Sequence, residues 1–216
     1  IVAALVGAGA WYVGKHSNKS TNSTKSSETS STASQSTSAS DPYAGWQTYS
    51  DDFVSFKYPS TWKVARNDNT NLPGTKNLEL TGPSDSELAS SINTATGQKA
   101  NLSASLFKSV DASSTDAKVY DVSPLNIPGY PKASLAVIAD TRAAQDPAGP
   151  PAQLAVTDDT TVKIGSTKLK NSLTVGADNI GISANAMEYR ITSLTAFKTS
   201  LSVQDLIKIL NTLTFK

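Results

Sequence analysis

Residues 17–40, SNKSTNSTKSSETSSTASQSTSAS, hold sixteen Ser or Thr in twenty-four positions and almost no apolar side chain. Such a segment cannot bury enough surface to offset the entropy of ordering it. It is expected to be a disordered tether, which leaves roughly 175 residues to build a fold. A domain of that size buries about 70% of the surface its unfolded chain exposes, so it can stand without staples. It has none, because the chain contains no cysteine. Disulfides, thiol nucleophiles, zinc ribbons and lipobox acylation are excluded together.

Ahead of the tether the chain reads IVAALVGAGAWYVGKH, with no charge over residues 1–14. A full membrane span needs about 20 apolar residues, so residues 1–16 are expected to be the second half of a transmembrane helix. Trp11 and Tyr12 suit the headgroup level, with Lys15 and His16 in water beyond. The alternative is a cleaved signal peptide with a small-x-small site at Ala8-Gly9-Ala10. VGAGAWYVG imitates a dinucleotide-binding turn, but glycines at 7, 9 and 14 break the G-x-G-x-x-G spacing. The serine-rich tract behind it supplies neither the helix nor the ribose-binding acid that such a turn requires. Two glycosylation sequons, at Asn18 and Asn22, are what a Ser/Thr/Asn tract produces by chance.

From Asp41 onward, 16 basic residues face 17 acidic ones, scattered along the chain. That balance argues against a nucleic-acid partner, which needs a basic stripe to displace counterions from phosphates. The segment 41–216 is therefore read as one domain. Six of the chain's fifteen aromatic residues crowd into its start, WQTYSDDFVSFKYPSTWKV, residues 46–64. Val54, Phe56 and Tyr58 alternate with Ser55 and Lys57, the period of a strand with one buried face. Pro59 ends that strand, Ser60-Thr61 turn the chain, and Trp62-Lys63-Val64 start a second strand expected to pair with the first. Phe56, Tyr58 and Trp62 are thus core residues, while Trp46 and Tyr49 precede the alternation and remain candidates for a surface role.

Further strands are expected at Leu78–Leu80, in ANLSASLFKSV, around Tyr120, and in QLAVT, TVKIG, KLKNSLTVGA and AMEYRITSL. Asp158-Asp159 should mark the turn between QLAVT and TVKIG. KASLAVIAD, residues 132–140, is apolar on both faces and reads as a central strand. Ser84-Asp85-Ser86-Glu87 has a capping-box pattern that supports a short helix. Near the end, Val203, Leu206, Ile207 and Leu210 make a helical stripe capped from Ser202 and Asp205, and Leu213-Thr214-Phe215 reads as a closing strand. The sum is an α+β fold, a central antiparallel sheet flanked by a few helices.

The start YSDDFVSFKYPSTWKV and the end SVQDLIKILNTLTFK resemble the PsbP-like fold, a group that includes a photosystem II extrinsic subunit and a Ran-binding import factor. Tyr58, Pro59 and Trp62 match its strand-Pro-turn-Trp pattern, and residues 203–215 its final helix and strand. The resemblance implies a central antiparallel sheet flanked by helices and no shared reaction. Family sites do not carry over, since the only histidine, His16, lies outside the domain.

Without a domain histidine or a cysteine, the commonest general base and the best nucleophile are missing, and no cofactor is expected. Neither G-x-S-x-G nor a phosphate-cradling glycine loop occurs. Asp140 with Asp146 or Glu188 is the conceivable carboxylate pair. Asp158-Asp159 lacks the spaced ligands of a calcium loop and reads as a solvated turn. The expectation is a membrane-tethered, extracytoplasmic binding or assembly module without a catalytic site, whose partner is an envelope protein or ligand. A carboxylate-dependent or metal-assisted envelope enzyme and a secreted ligand-binding protein are the alternatives. The expected partner surface is the Pro-rich loop 143–152, with Asp146, Pro147, Pro150 and Pro151, together with Trp46 and Tyr49, because loops on a rigid scaffold tend to carry recognition.

Overall fold

The computed structural model describes residues 41–68, 76–93, 100–109, 114–140 and 151–216. The anchor and tether expected over 1–40 lie outside these. So do Asp146, Pro147 and Pro150.

Two antiparallel sheets form. The smaller has strand order β1-β2-β13, from β1 (Gln47–Ser50), β2 (Val54–Tyr58) and β13 (Thr214–Phe215). The larger contains ten strands. They are β3 (Lys63–Arg66), β4 (Asn77–Thr81), β5 (Ile92–Asn93), β6 (Ser103–Ser109), β7 (Ser114–Pro124), β8 (Ser134–Asp140), β9 (Pro151–Thr157), β10 (Lys168–Lys170), β11 (Leu173–Val175) and β12 (Asp178–Ile191). Their main order is β10-β7-β8-β9-β12-β6-β4-β3, with β11 and β5 each paired to β12. The helices are α1 (Ser86–Ser91), α2 (Leu194–Thr199) and α3 (Leu201–Leu210).

The expected α+β architecture is corrected by this arrangement. Thirteen strands against helices of six, six and ten residues make the described fold mostly β. The physical reason lies in what covers the large sheet. Val54 and Phe56 of the small sheet join Val203, Leu206, Ile209 and Leu210 of α3 in one core with Leu80, Leu106, Leu135, Leu154 and Ile182. Leu206 and Leu210 of α3 lie against Leu135, Leu154 and Ile182, and β2, packed on α3, adds Val54 and Phe56 to the same core, so one helix and a small sheet stand where several flanking helices were expected. The pairing expected for the aromatic segment is corrected too. Strand β2 pairs with β1 and β13, whereas β3 pairs with β4 in the other sheet. The chain changes sheets at Pro59, where a missing N–H ends the ladder and Trp62 N–H donates to the Pro59 carbonyl at 3.0 Å.

The expectation for residues 132–140 holds. Leu135 and Val137 of β8 enter the main core, and Ala136 and Ile138 enter a second one on the opposite face with Ala117, Val119, Ala155 and Leu169. The connection 158–167 covers that second core, tied down where Val119 N–H donates to the Ser166 carbonyl and Gly165 N–H to the Val119 carbonyl, both 2.9 Å. TVKIG, expected as a strand, is part of this connection, and KLKNSLTVGA divides into β10 and β11 around Asn171-Ser172.

Strand β12 is fourteen residues long, whereas the sequence pattern points to a strand only from Ala186. Gly181 sits within it opposite Phe107 of β6. A Cβ at Gly181 would lie 2.1 Å from Phe107 Cζ and 2.5 Å from both Cε atoms. Equal flanking distances only slightly above the apex distance mean that the ring lies face down on the glycine. The aromatic ring fills the place of the absent side chain, and the strand continues through a residue that usually weakens one.

The closing helix and strand form where expected, but the caps differ. Asp85, not Ser84, caps α1: its Oδ1 accepts from Glu87 N–H and Leu88 N–H, each at 2.9 Å. Its Oδ2 accepts from Ser202 N–H at 2.7 Å, so one buried carboxylate serves the first turns of α1 and α3 together.

Candidate functional site

Where the 127–133 turn meets the 158–175 segment, the surface opens into a cavity of about 280 Å³. Its lining includes Gly129, Tyr130, Lys132, Asp158 and Thr174. That volume lies at the small end of ligand clefts. The turn is built by a bridge between Ile127 and Tyr130, with Tyr130 N–H donating to the Ile127 carbonyl at 2.9 Å. Gly129 takes φ +82°, a left-handed conformation that a side chain would strain. Pro131 follows, and Ala133 N–H closes back on the Tyr130 carbonyl at 3.0 Å. Tyr130 is held edge-on against Phe215 of β13, with ring centroids 5.4 Å apart. Burial pushes its phenol above the ordinary tyrosine value.

The opposite wall is polar. Asp158 is half-buried rather than the solvated turn acid expected of it. Its Oδ1 accepts from Lys170 Nζ and its Oδ2 from Thr174 N–H, both at 2.8 Å. Burial alone would raise its pKa, but Lys170 and Thr174 outweigh that and hold the carboxyl below the usual range. Lys170 Nζ also donates to Thr174 Oγ1 at 2.6 Å. Asp159 turns the other way: its Oδ1 accepts from the N–H and the hydroxyl of Thr161, at 2.9 and 2.7 Å. Among the described residues, no group of three histidine or acidic side chains is placed to hold a metal ion.

The surface expected from the sequence is placed differently. Tyr49 lies on β1, stacked on Phe56 at 5.3 Å, with its hydroxyl donating to Asp51 Oδ2 at 2.8 Å. Trp46 is half-buried beside the main core and meets Tyr43 edge to face at 5.2 Å. Pro151 opens β9 and pairs with Arg190 of the large sheet. Tyr49 and Pro151, both of the expected surface, therefore belong to different sheets. The carboxylate pairing of Asp140 with Asp146 or Glu188 falls on side chains outside the described set. None of Tyr130, Lys132, Asp158 and Thr174 was singled out as a site residue. The available signal was Pro128-Gly129-Tyr130-Pro131, which reads as a bare connection until Asp158 and Thr174 are seen opposite it.

A second polar constellation ties the two sheets. Arg66 at the end of β3 pairs with Asp51, with Asp52 and with Asp68, and Lys76 pairs with Asp52. Asp51 Oδ1 also accepts from Phe53 N–H at 2.7 Å and Val54 N–H at 2.8 Å. Burial opposes its ionisation, but these amides, Tyr49 and Arg66 bring its pKa down to about 2. Every carboxylate here is held by cations or amides, which makes the constellation a clasp. The comparisons with known proteins give no relative to weigh against this geometry: no family model, no curated protein and no solved structure matches the chain.

Proposed function

We propose that the chain is a binding or assembly module, and that the cavity at Tyr130, Lys132, Asp158 and Thr174 is its recognition site. One observation carries the choice of binding over catalysis. Asp158, the one acid in the cavity lining, has both oxygens engaged and a depressed pKa, so it is a poor proton acceptor at neutral pH. A rigid wall of this kind orients a guest. The placement of the module is part of the same proposal: a tether of Ser and Thr behind an uncharged, apolar start suits a membrane-anchored domain on the extracytoplasmic side. Among the described residues no helix is long and apolar enough to cross a membrane. The likeness to the PsbP-like fold rests on the two quoted end segments alone and adds no site.

The test is site-specific photo-crosslinking of the full chain in its own cells. A photoreactive residue at Lys132 should capture a discrete component that the same residue at exposed Leu201 does not. Identical capture from both positions would sink the reading.

A further inference from the structure

Strand β1 closes one side of the small sheet, and its strand partner among the described residues is β2 alone. Asp51 N–H donates to the Val54 carbonyl at 3.0 Å across the turn, so the register makes Tyr49–Phe56 and Gln47–Tyr58 the hydrogen-bonded pairs. Lys57 N–H agrees, turning away from β1 to Thr212 Oγ1 at 2.9 Å. The N–H and C=O of Thr48 and Ser50 therefore point out of the sheet, and both residues are exposed. Among the described residues no group bonds to them. An open edge of this kind is a template for another strand, and proteins guard it with lysine, proline or a covering group. Strand β3 carries Lys63 and Arg66, β10 carries Lys168 and Lys170, and in β11 the Thr174 N–H is taken by Asp158. Gln47-Thr48-Tyr49-Ser50 has neither charge nor proline. Of the lysines beside it, Lys57 lies over the Tyr43 ring at 5.4 Å, and Lys216 is engaged by Ser50 Oγ at 2.8 Å and by the Asp51 carbonyl.

We propose that β1 is a self-association edge, pairing antiparallel with β1 of a second copy about Tyr49. In that register Thr48 of one protomer faces Ser50 of its partner and the reverse, so every outward N–H meets an outward C=O. Tyr49 faces Tyr49, Gln47 faces Asp51, and no charge on the paired residues meets a like charge. The two three-stranded sheets become one continuous sheet. A second copy suits this edge because the edge is its own complement, while it offers no charged side chain to select a foreign strand. Four residues cover far less than the roughly 800 Å² per partner of a stable complex, so the pairing is weak and forms where copies are concentrated. The cavity is not involved, and the inference stands or falls apart from the recognition role proposed for it.

The chain has no cysteine, so an introduced disulfide reports the register. Full-length Thr48→Cys and Ser50→Cys variants are mixed in a glutathione redox buffer, and the disulfides are identified by mass spectrometry. Both side chains are exposed, and neither packs in the core. Facing residues of a hydrogen-bonded pair have Cα atoms about 5.5 Å apart, within reach of a disulfide, whereas position 48 lies about 9 Å from position 48 of the partner, beyond it. The mixed 48–50 disulfide should exceed either homodisulfide by about tenfold. Products in the proportion of random collision, or a homodisulfide in excess, would overturn the proposal. In spectra of the ¹⁵N-labelled full chain, raising the protein concentration should move the amides of Thr48 and Ser50. Thr48→Pro removes an outward N–H and no bond to β2, so it should abolish that movement at Ser50 and leave the rest of the spectrum in place. Absence of the movement in the parent, or its persistence in Thr48→Pro, would also overturn the proposal.

Discussion

Gly181 faces a ring where any other residue would place a carbon. Gly181→Ala must push Phe107 off the sheet, because 2.1 Å is far inside any permitted contact. The loss should be about 1–3 kcal/mol, read as a lowered denaturation midpoint with displaced Phe107 ring resonances. Asp85 and Asp205 make an opposed pair at the same scale. Both are buried, at 7% and 8% exposure. Burial would raise Asp85, but the amides of Leu88, Ser202 and Glu87 outweigh it and hold its pKa down. Its contribution is present above the ordinary carboxylate value and lost as pH falls through the lower, folded one. Asp205 is pushed up by burial and by the Asp85 charge, against the pull of Trp62 and Lys208. Its contribution runs the other way, full below the ordinary value and lost as pH rises through the raised, folded one. Asp205→Asn should therefore melt higher than the parent at pH 7, with the advantage shrinking in acid. A variant that melts lower at neutral pH would show that the charged carboxylate is stabilising.

Among the elements, α3 shows what a sequence carries and what it leaves out. Its stripe of Val203, Leu206 and Leu210 was legible because helical spacing is local. Its N-terminal partner was not, because Asp85 lies 117 residues away. Removing that carboxylate with Asp85→Ala takes a cap from two helices at once and should cost about 2–3 kcal/mol in urea unfolding. A cost near zero would mean that water replaces it. The same division explains the rest. Strand β2 was readable from its alternation, but its choice of β1 and β13 over β3 is a long-range preference. Strand β12 was mostly hidden, since Asp178, Asn179 and Gly181 carry turn chemistry and only a ring on a neighbouring strand makes Gly181 tolerable. Its site counterpart is the cavity, whose walls are 44 residues apart at Tyr130 and Thr174 and share no motif.

At the scale of the whole molecule, the two sheets are joined by a buried core and clasped at the surface by Arg66 and Asp51. Asp51 is 17% exposed at its side chain, and its pKa falls from 3.8 to about 2. The stability it lends is complete above 3.8 and disappears as pH falls toward about 2. Asp51→Asn should lose on the order of 1 to 2 kcal/mol at neutral pH after solvent screening, and melting curves of the variant should flatten across that acid range. An unchanged pH profile would remove Asp51 from the acid response. The clasp also joins segments that are close in sequence, whereas β13 joins the two ends of the domain. Phe215 pairs with Val54, and Lys216 N–H donates to the Phe53 carbonyl at 3.1 Å. Until residues 214–216 have left the ribosome, β1 and β2 are an isolated hairpin, which is marginal in water. Phe53, Phe56 and their neighbours then wait without that strand until it is made, a period in which exposed apolar surface invites aggregation. The order in which the chain is made thus leaves Phe53 and Phe56 dependent on a strand that is made long after them.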